Sequence, residues 1–172
     1  MTEPSDSSAN IRPAWRHYLV QSLLAVIATG VVLLLLNWQN WFIVTALGST
    51  VFVLFVMPHR SVAQPRNTVV GHFIGIVCGM LCSFLPQTSL PVTTFVYALS
   101  VGLAIFVMLM TDTEQPPAAG TALAFAINGF SVKTGLTTLI SVVILSLIHQ
   151  LLKGHLRNLV GSGHKVGQDE HL

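Results

Sequence analysis

The stretch NTVVGHFIGIVCGMLCSFLPQTSLPVTTFVYALSVGLAIFVMLMT, residues 67–111, runs for 45 positions without an Asp, Glu, Lys or Arg. A bilayer span needs about 20 mostly apolar residues. This stretch therefore supplies two spans, separated by the Pro-bounded connection PQTSLP at 86–91. Further charge-free stretches occupy 17–58 (42 residues), 115–132 (18) and 134–152 (19). Over all 172 residues, 52% are hydrophobic and 8% charged, against roughly 25% charged in a soluble domain. The fold class that follows is all-α, a polytopic transmembrane helical bundle. It forms one membrane domain at 17–152, between an N-terminal segment 1–16 and a polar segment 153–172 read as a flexible tail.

Polar clusters, Pro and Trp divide the chain into apolar runs at 18–36, 41–57, 69–85, 92–110, 118–130 and 134–152. Trp15 and Tyr18 before the first run, and Trp38 and Trp41 after it, suit the aromatic belts at the two membrane interfaces. The first run lacks a small-residue cleavage site and reads as a retained span. If all six runs cross, Arg12, Arg16, Arg60, Arg66, Lys153, Arg157 and Lys165 share one side and only Lys133 lies on the other. If the second and fifth are re-entrant, Arg60 and Arg66 change sides and the bias weakens to five against three. The positive-inside rule favours six segments, with both termini cytoplasmic in a bacterial inner (plasma) membrane. The fifth run is short: 13 residues reach about 20 Å, against a hydrocarbon core of about 30 Å, so a broken or re-entrant segment is the alternative there. Six spans divide into three plus three, which makes a duplicated half inverted. Gly48, Ser49, Thr50 and Val51 in the second run resemble Gly120, Thr121 and Ala122 in the fifth, a faint trace of such a 3+3 inverted repeat.

The same composition excludes several functions. A net charge of +2 without a basic run gives no footprint for nucleic acid. There is no Walker-type phosphate loop. No Asp or Glu lies inside any run, which disfavours acidic proton relays and carboxylate-ringed cation channels. Neither a nucleophile–base arrangement nor paired carboxylates is supported by spacing, so the chain reads as not an enzyme. Cys78 and Cys82 fall four apart on one face, but two thiols do not make a zinc site; no metal and no cofactor are expected. Gly71, Gly75, Gly79 and Ser83 form a small-residue stripe that reads as helix packing, with Ala98 and Gly102 of the fourth run as the candidate facing surface.

Two polar segments interrupt the apolar pattern. In PHRSVAQPRNTVVGH, residues 58–72, Pro65 opens a helix. Gln64, Arg66 and Asn67 gather at the helix N-terminus, whose unpaired N–H groups and partial positive charge favour anions. His72 follows about one turn inside the bilayer, where a polar side chain is costly unless partnered or used. In TDTEQPPAAGTA, residues 111–122, Pro116 and Pro117 suit a helix start, and Gly120 and Thr121 permit close approach of a ligand to backbone. At the far end of the fifth run, Lys133 reads as an interfacial anchor beside Asn128.

AQPRN at 63–67, followed by Gly71 and His72, together with PPAAGTA at 116–122, resembles the HPP family of small integral membrane proteins. The likeness in layout extends over 12–152. It implies a helical membrane protein, and nitrite transport, in which some members of chloroplasts and cyanobacteria are implicated. The sequence departs from the family at Gln115, where the His of His-Pro-Pro would stand, and in the order of Ala119 and Gly120. Gln donates and accepts hydrogen bonds but carries no titratable charge.

The function expected is a transporter or channel-like carrier for a small inorganic anion. Its pathway would run along Gln64, Arg66, Asn67, His72, Gln115, Pro116, Pro117, Gly120 and Thr121, with Arg66 attracting charge and backbone N–H groups and Thr121 binding it. The partners expected are the lipid bilayer, the anion and a second copy of the chain. The alternative is a non-transporting scaffold that associates through its glycine stripe.

Overall fold

The computed structural model describes residues 15–35 and 41–159, and over these it is helical, with no strand among the described residues. Six helices follow one another: α1 (Trp15–Leu35), α2 (Trp41–Val56), α3 (Pro65–Ser83), α4 (Leu90–Met110), α5 (Pro116–Asn128) and α6 (Val132–Leu152). Single 3-10 turns at Ser61–Ala63 and Lys153–His155 precede α3 and follow α6. Residues 1–14, the connection 36–40 with Trp38, and residues 160–172 lie outside the described residues, and the aromatic-belt and tail assignments that rest on them lie outside with them.

Each helix matches one apolar run, and all but α2 begin two to four residues before it. Pro stands in the first two positions of α3, α4 and α5, where its fixed φ suits a helix and its missing N–H has no partner to lose. Arg66, Asn67 and Thr68 are thereby the first turn of α3 and not part of a loop. Among the described residues, only α4 and α6 with its following turn, Val132–His155, are by themselves long and apolar enough to cross a membrane; Tyr18–Leu34 and Phe42–Val56 are shorter apolar helices. α3, the least apolar helix, and α5, the shortest, sit in the middle of the bundle. α3 packs on α4, α5 and α6; α5 packs on α2, α3 and α4; α1 closes against α2 and α6.

Cross-links show which ends lie together. The Gln21 amide near the start of α1 donates to the carbonyls of Phe55, at the end of α2, and Arg157, just after α6 (2.8 and 2.9 Å). His149 in the last turn of α6 bonds the Pro58 carbonyl (3.2 Å). Arg66 at the start of α3 donates to the Thr111 carbonyl at the end of α4 (3.1 Å). Opposite, the Gln87 amide beyond α3 reaches the Ala126 carbonyl near the end of α5 (3.5 Å). Successive helices therefore alternate in direction, and α3 and α5 run parallel. Residues 153–159, read from sequence as part of the tail, are tied down: Leu156 is buried, His59 bonds its carbonyl (2.9 Å), and the Leu159 N–H donates to Val56 (3.0 Å).

The core is apolar, with Phe55, Phe125 and Leu145 buried, but polar side chains share it and large apolar ones cover the outside. Leu34, Leu90 and Leu151 are 81–88% exposed, while Gln21, Thr50, Thr68, His72, Thr121 and Ser141 are 0–3% exposed. Apolar side chains outward and polar ones inward is the arrangement hydrocarbon solvent selects, since exposed polar groups find no partners there.

The glycine stripe packs inside the chain. A Cβ on Gly75 would collide with the Ala118 carbonyl, one on Gly79 with the Ala122 carbonyl, and one on Gly71 would stand 2.6 Å from Cβ of Gln115. The stripe thus lets α3 and α5 meet backbone to backbone. This corrects the expectation that Ala98 and Gly102 face it: Gly102 has nothing within 4 Å of its Cβ position. Ser83, a turn further on, is half-buried and bonds back to the Met80 carbonyl (2.7 Å). Buried against α5, the stripe itself offers no surface to a second molecule.

Candidate functional site

His72 lies fully buried where α2, α3 and α5 converge. Its Nε2 stands 2.8 Å from Oγ1 of Thr50 on α2, and its Nδ1 stands 2.8 Å from Oγ1 of Thr121 on α5. The proton positions follow from the donors available. Thr50 gives its one hydroxyl proton to the Ala46 carbonyl a turn back (3.0 Å), so it accepts from the imidazole, and Nε2 carries the hydrogen. Nδ1 of the neutral ring is then an acceptor, and Thr121 donates to it. The result is a relay of three side chains, Thr121 to His72 to Thr50 to the Ala46 carbonyl, drawn from three helices.

Towards the end that carries Arg66, two further polar groups lie in the same seam without partners. Thr68 precedes His72 by four residues, hence on the same face of α3, and its buried Oγ1 is unbonded. Gln115, the residue before α5, is 1% exposed, and both its amide atoms are buried and unbonded. Gly71 makes room for it. Beside Gln115 opens a mostly apolar cavity of about 320 Å³, lined by Ile105, Met108 and Leu109 of α4, by Pro116 and Ala119 of α5, and by Glu114 at its rim. Leaving a buried polar group unbonded costs about 1–3 kcal/mol. Gln21, Ser141 and His149 also have an unbonded buried atom, but among the described residues Gln115 alone has both polar atoms of its side chain unbonded and lines a cavity.

The connection that positions Gln115 is built by helix-capping chemistry. α4 ends in a Schellman motif: Asp112 takes a left-handed conformation (φ 50°), its N–H reaches the Leu109 carbonyl (3.3 Å), and the Thr113 N–H reaches that of Met108 (3.0 Å). Thr113 is buried and its hydroxyl shares a hydrogen bond with that of Thr111 (2.7 Å). Arg66 then covers the Thr111 carbonyl, a cation on the negative end of a helix dipole.

Of the residues singled out from sequence, the fold brings His72, Gln115 and Thr121 into one buried seam. Asn67 is buried (8%) in the first turn of α3. Gln64 and Arg66 are exposed at the bundle end, and Gly120 is exposed, with only the Ala46 side chain near its Cβ position (3.6 Å). The expectation that backbone N–H groups of α5 hold the anion fails locally. Pro116 and Pro117 have none to offer, and that of Ala118 is bonded to the Gln115 carbonyl (2.9 Å). Asn128 bonds back to Ala124 (2.9 Å), and Lys133 lies in the first turn of α6 at the opposite end. The sequence pattern alone does not single out Thr50 and Thr68. Thr50 stood inside the GST-like segment read as a repeat trace, and Thr68 stood four residues before His72, so both signals were present. Among the described residues no three His, Cys, Asp or Glu are grouped to hold a metal.

The model of the HPP transmembrane region matches residues 8–166, nearly the whole chain. The chain belongs to the HPP family. Among curated relatives, two transmembrane proteins of Dictyostelium discoideum are similar to this HPP protein. One is 30% identical over 88 residues, 51% of the chain and 31% of the relative; the other is 31% identical over 85 residues, 49% and 27%. The matched segments thus span less than a third of either relative. No solved structure matches this HPP protein. Family and relatives together make it an integral membrane protein, in agreement with the large apolar side chains on its outer faces.

Proposed function

We propose that this HPP protein carries a small inorganic anion across the membrane, nitrite being the substrate that the family resemblance suggests. The observation that carries the proposal is the buried, unbonded Gln115 amide, with the unbonded Thr68 hydroxyl one turn before His72 on α3; the one carboxylate at the adjoining cavity, Glu114, is exposed. Neutral N–H and O–H donors in a water-poor interior suit an anion and repel nothing that carries negative charge. Arg60, Arg66, Lys153 and Arg157 at that end of the bundle raise the local anion concentration.

All six helices cross the membrane in this reading, with the cation-rich end cytoplasmic and only Lys133 at the other. An inverted 3+3 repeat is supported by the helix neighbours. Exchange of α1 with α4, α2 with α5 and α3 with α6 maps every principal helix–helix packing onto another, α3 on α5 becoming α6 on α2 and α3 on α4 becoming α6 on α1. Thr50 and Thr121, on the exchanged helices α2 and α5, approach His72 from two sides. Sites at the interface of inverted repeats are the rule in transporters of such architecture.

The test is uptake into proteoliposomes of nitrite, nitrate, formate and chloride, each against protein-free vesicles. Uptake of at least one anion is expected, and Arg66→Ala lowers its initial rate several-fold at low ionic strength and less at high, as screening requires. Absence of uptake for all four anions, with no effect of the substitution, overturns the proposal.

A further inference from the structure

We propose that the Thr50–His72–Thr121 relay takes up a proton together with the anion, so that transport is proton-coupled and His72 is the proton-carrying residue. This rests on the anion-carrier reading. The hydrogen-bond geometry is suited to both charge states of the ring. In the neutral state Nε2–H donates to Thr50 and Nδ1 accepts from Thr121. When a proton from the aqueous phase forms an N–H bond at Nδ1, the ring becomes a double donor. Thr50 already accepts, and the Thr121 hydroxyl accepts once its own proton turns to a backbone carbonyl one turn back, as Thr50 already does with Ala46. No donor is left facing a donor. A carboxylate partner would fix the charged state, and an apolar one the neutral state; hydroxyls, which donate and accept, allow either.

The surroundings make the proton and the anion interdependent. α2, α4 and α5 carry no Asp, Glu, Lys, Arg or His, and their single titratable group is Tyr97 of α4, which bonds Gln87 at the far end. α6 carries Lys133 in its first turn and His149 in its last. α3 itself has Arg66 at its start and Cys78 and Cys82 beyond the next turn. On the α4–α5 connection Asp112 and Glu114 are exposed, Glu114 lining the cavity beside Gln115; no carboxylate bonds the His72 ring, whose two partners are hydroxyls, and a lone charge in that interior is strongly disfavoured. An anion held at Gln115 and Thr68 supplies the missing counter-charge. Each ion raises the affinity for the other, by reciprocity of binding free energies. Imidazole, proton and anion combine to a neutral pair on one side and separate to imidazole, proton and anion on the other.

The experiment uses the full chain in proteoliposomes with the anion that gives the highest uptake, protein-free vesicles correcting for permeation of the undissociated acid. With the exterior acidic relative to the interior, wild type should accumulate the anion up to about tenfold per unit of pH gradient, the limit for one proton per anion. His72→Gln keeps a donor and an acceptor but takes up no proton, and should lose gradient-driven accumulation while still exchanging labelled for unlabelled anion. Wild-type uptake that ignores the gradient, or accumulation by His72→Gln equal to wild type, overturns proton coupling and leaves anion carriage standing. If His72→Gln neither accumulates nor exchanges, proton uptake by detergent-solubilised wild type on adding the anion in weak buffer decides. About one proton per bound anion supports the proposal, and none overturns it.

Discussion

Gly75→Leu is expected to abolish the folded chain, whereas Gly102→Leu leaves it intact. Both glycines lie in apolar helices, and hydropathy improves equally at both positions. At Gly75 the first added carbon already falls on the Ala118 carbonyl, with the Ala122 nitrogen 3.4 Å away. The struck atoms are backbone of α5, which cannot rotate aside, so the cost exceeds the about 1–3 kcal/mol usual for overpacking a core. Because α5 also packs on α2 and α4, separating it from α3 undoes the centre of the bundle. At Gly102 nothing lies within 4 Å of the Cβ position, and replacing a mid-helix glycine gains about 0.5–1 kcal/mol of helix propensity. Thermal unfolding in detergent, followed by the loss of the monodisperse peak, measures both. A Gly75→Leu protein as heat-stable as wild type contradicts the backbone contact between α3 and α5.

The contrast between these glycines also locates what sequence can and cannot reveal. Six helices were legible because charge-free runs broken by Pro have few other solutions, and Pro65, Pro91 and Pro116 marked three helix starts within a residue or two. That α3 and α5 were special was legible too, from the stripe at Gly71, Gly75 and Gly79 and from the short length of α5. The partner of the stripe was not. Small residues four apart announce a close neighbour without naming it, and Ala118 and Ala122 look no different in sequence from Ala98 and Gly102.

Site residues divide along the same line. His72 and Gln115 stood out because polar side chains are conspicuous in apolar surroundings. Thr50 and Thr68 did not, because a threonine in a membrane helix can satisfy itself on the carbonyl four residues back. Only tertiary packing distinguishes Thr50, which does so while also accepting from His72, from Thr94, which bonds Leu90 and nothing else. The misplaced expectation about α5 has a local cause: two consecutive prolines that announce a helix N-terminus also remove the N–H groups that would have made it an anion cradle.

Gln115→Met is expected to make the protein more stable and less active at once. Methionine matches glutamine in length and flexibility, so the contact over Gly71 is kept. The amide, whose oxygen and nitrogen are both buried and unbonded, is replaced by a thioether with no bonds to miss. Removing an unsatisfied buried amide is worth about 1–3 kcal/mol, which appears as a rise in the unfolding temperature. If that amide is the donor that holds the anion, uptake falls by at least the factor carried by one charge-assisted hydrogen bond, about tenfold for each 1.4 kcal/mol. A structural role predicts the opposite pair of outcomes, lower stability with uptake reduced only in proportion to folded protein. Gln115→His, which restores the residue expected before the two prolines in this family, separates the chemistry further. A ring nitrogen donates as the amide does but adds a second titratable group, against Gly71 in the α3–α5 contact, so the pH dependence of uptake shifts while the anion preference is kept. Natural sites retain such unsatisfied groups where a ligand supplies the missing bonds. A Gln115→Met protein that is both less stable and fully active would remove Gln115 from the pathway.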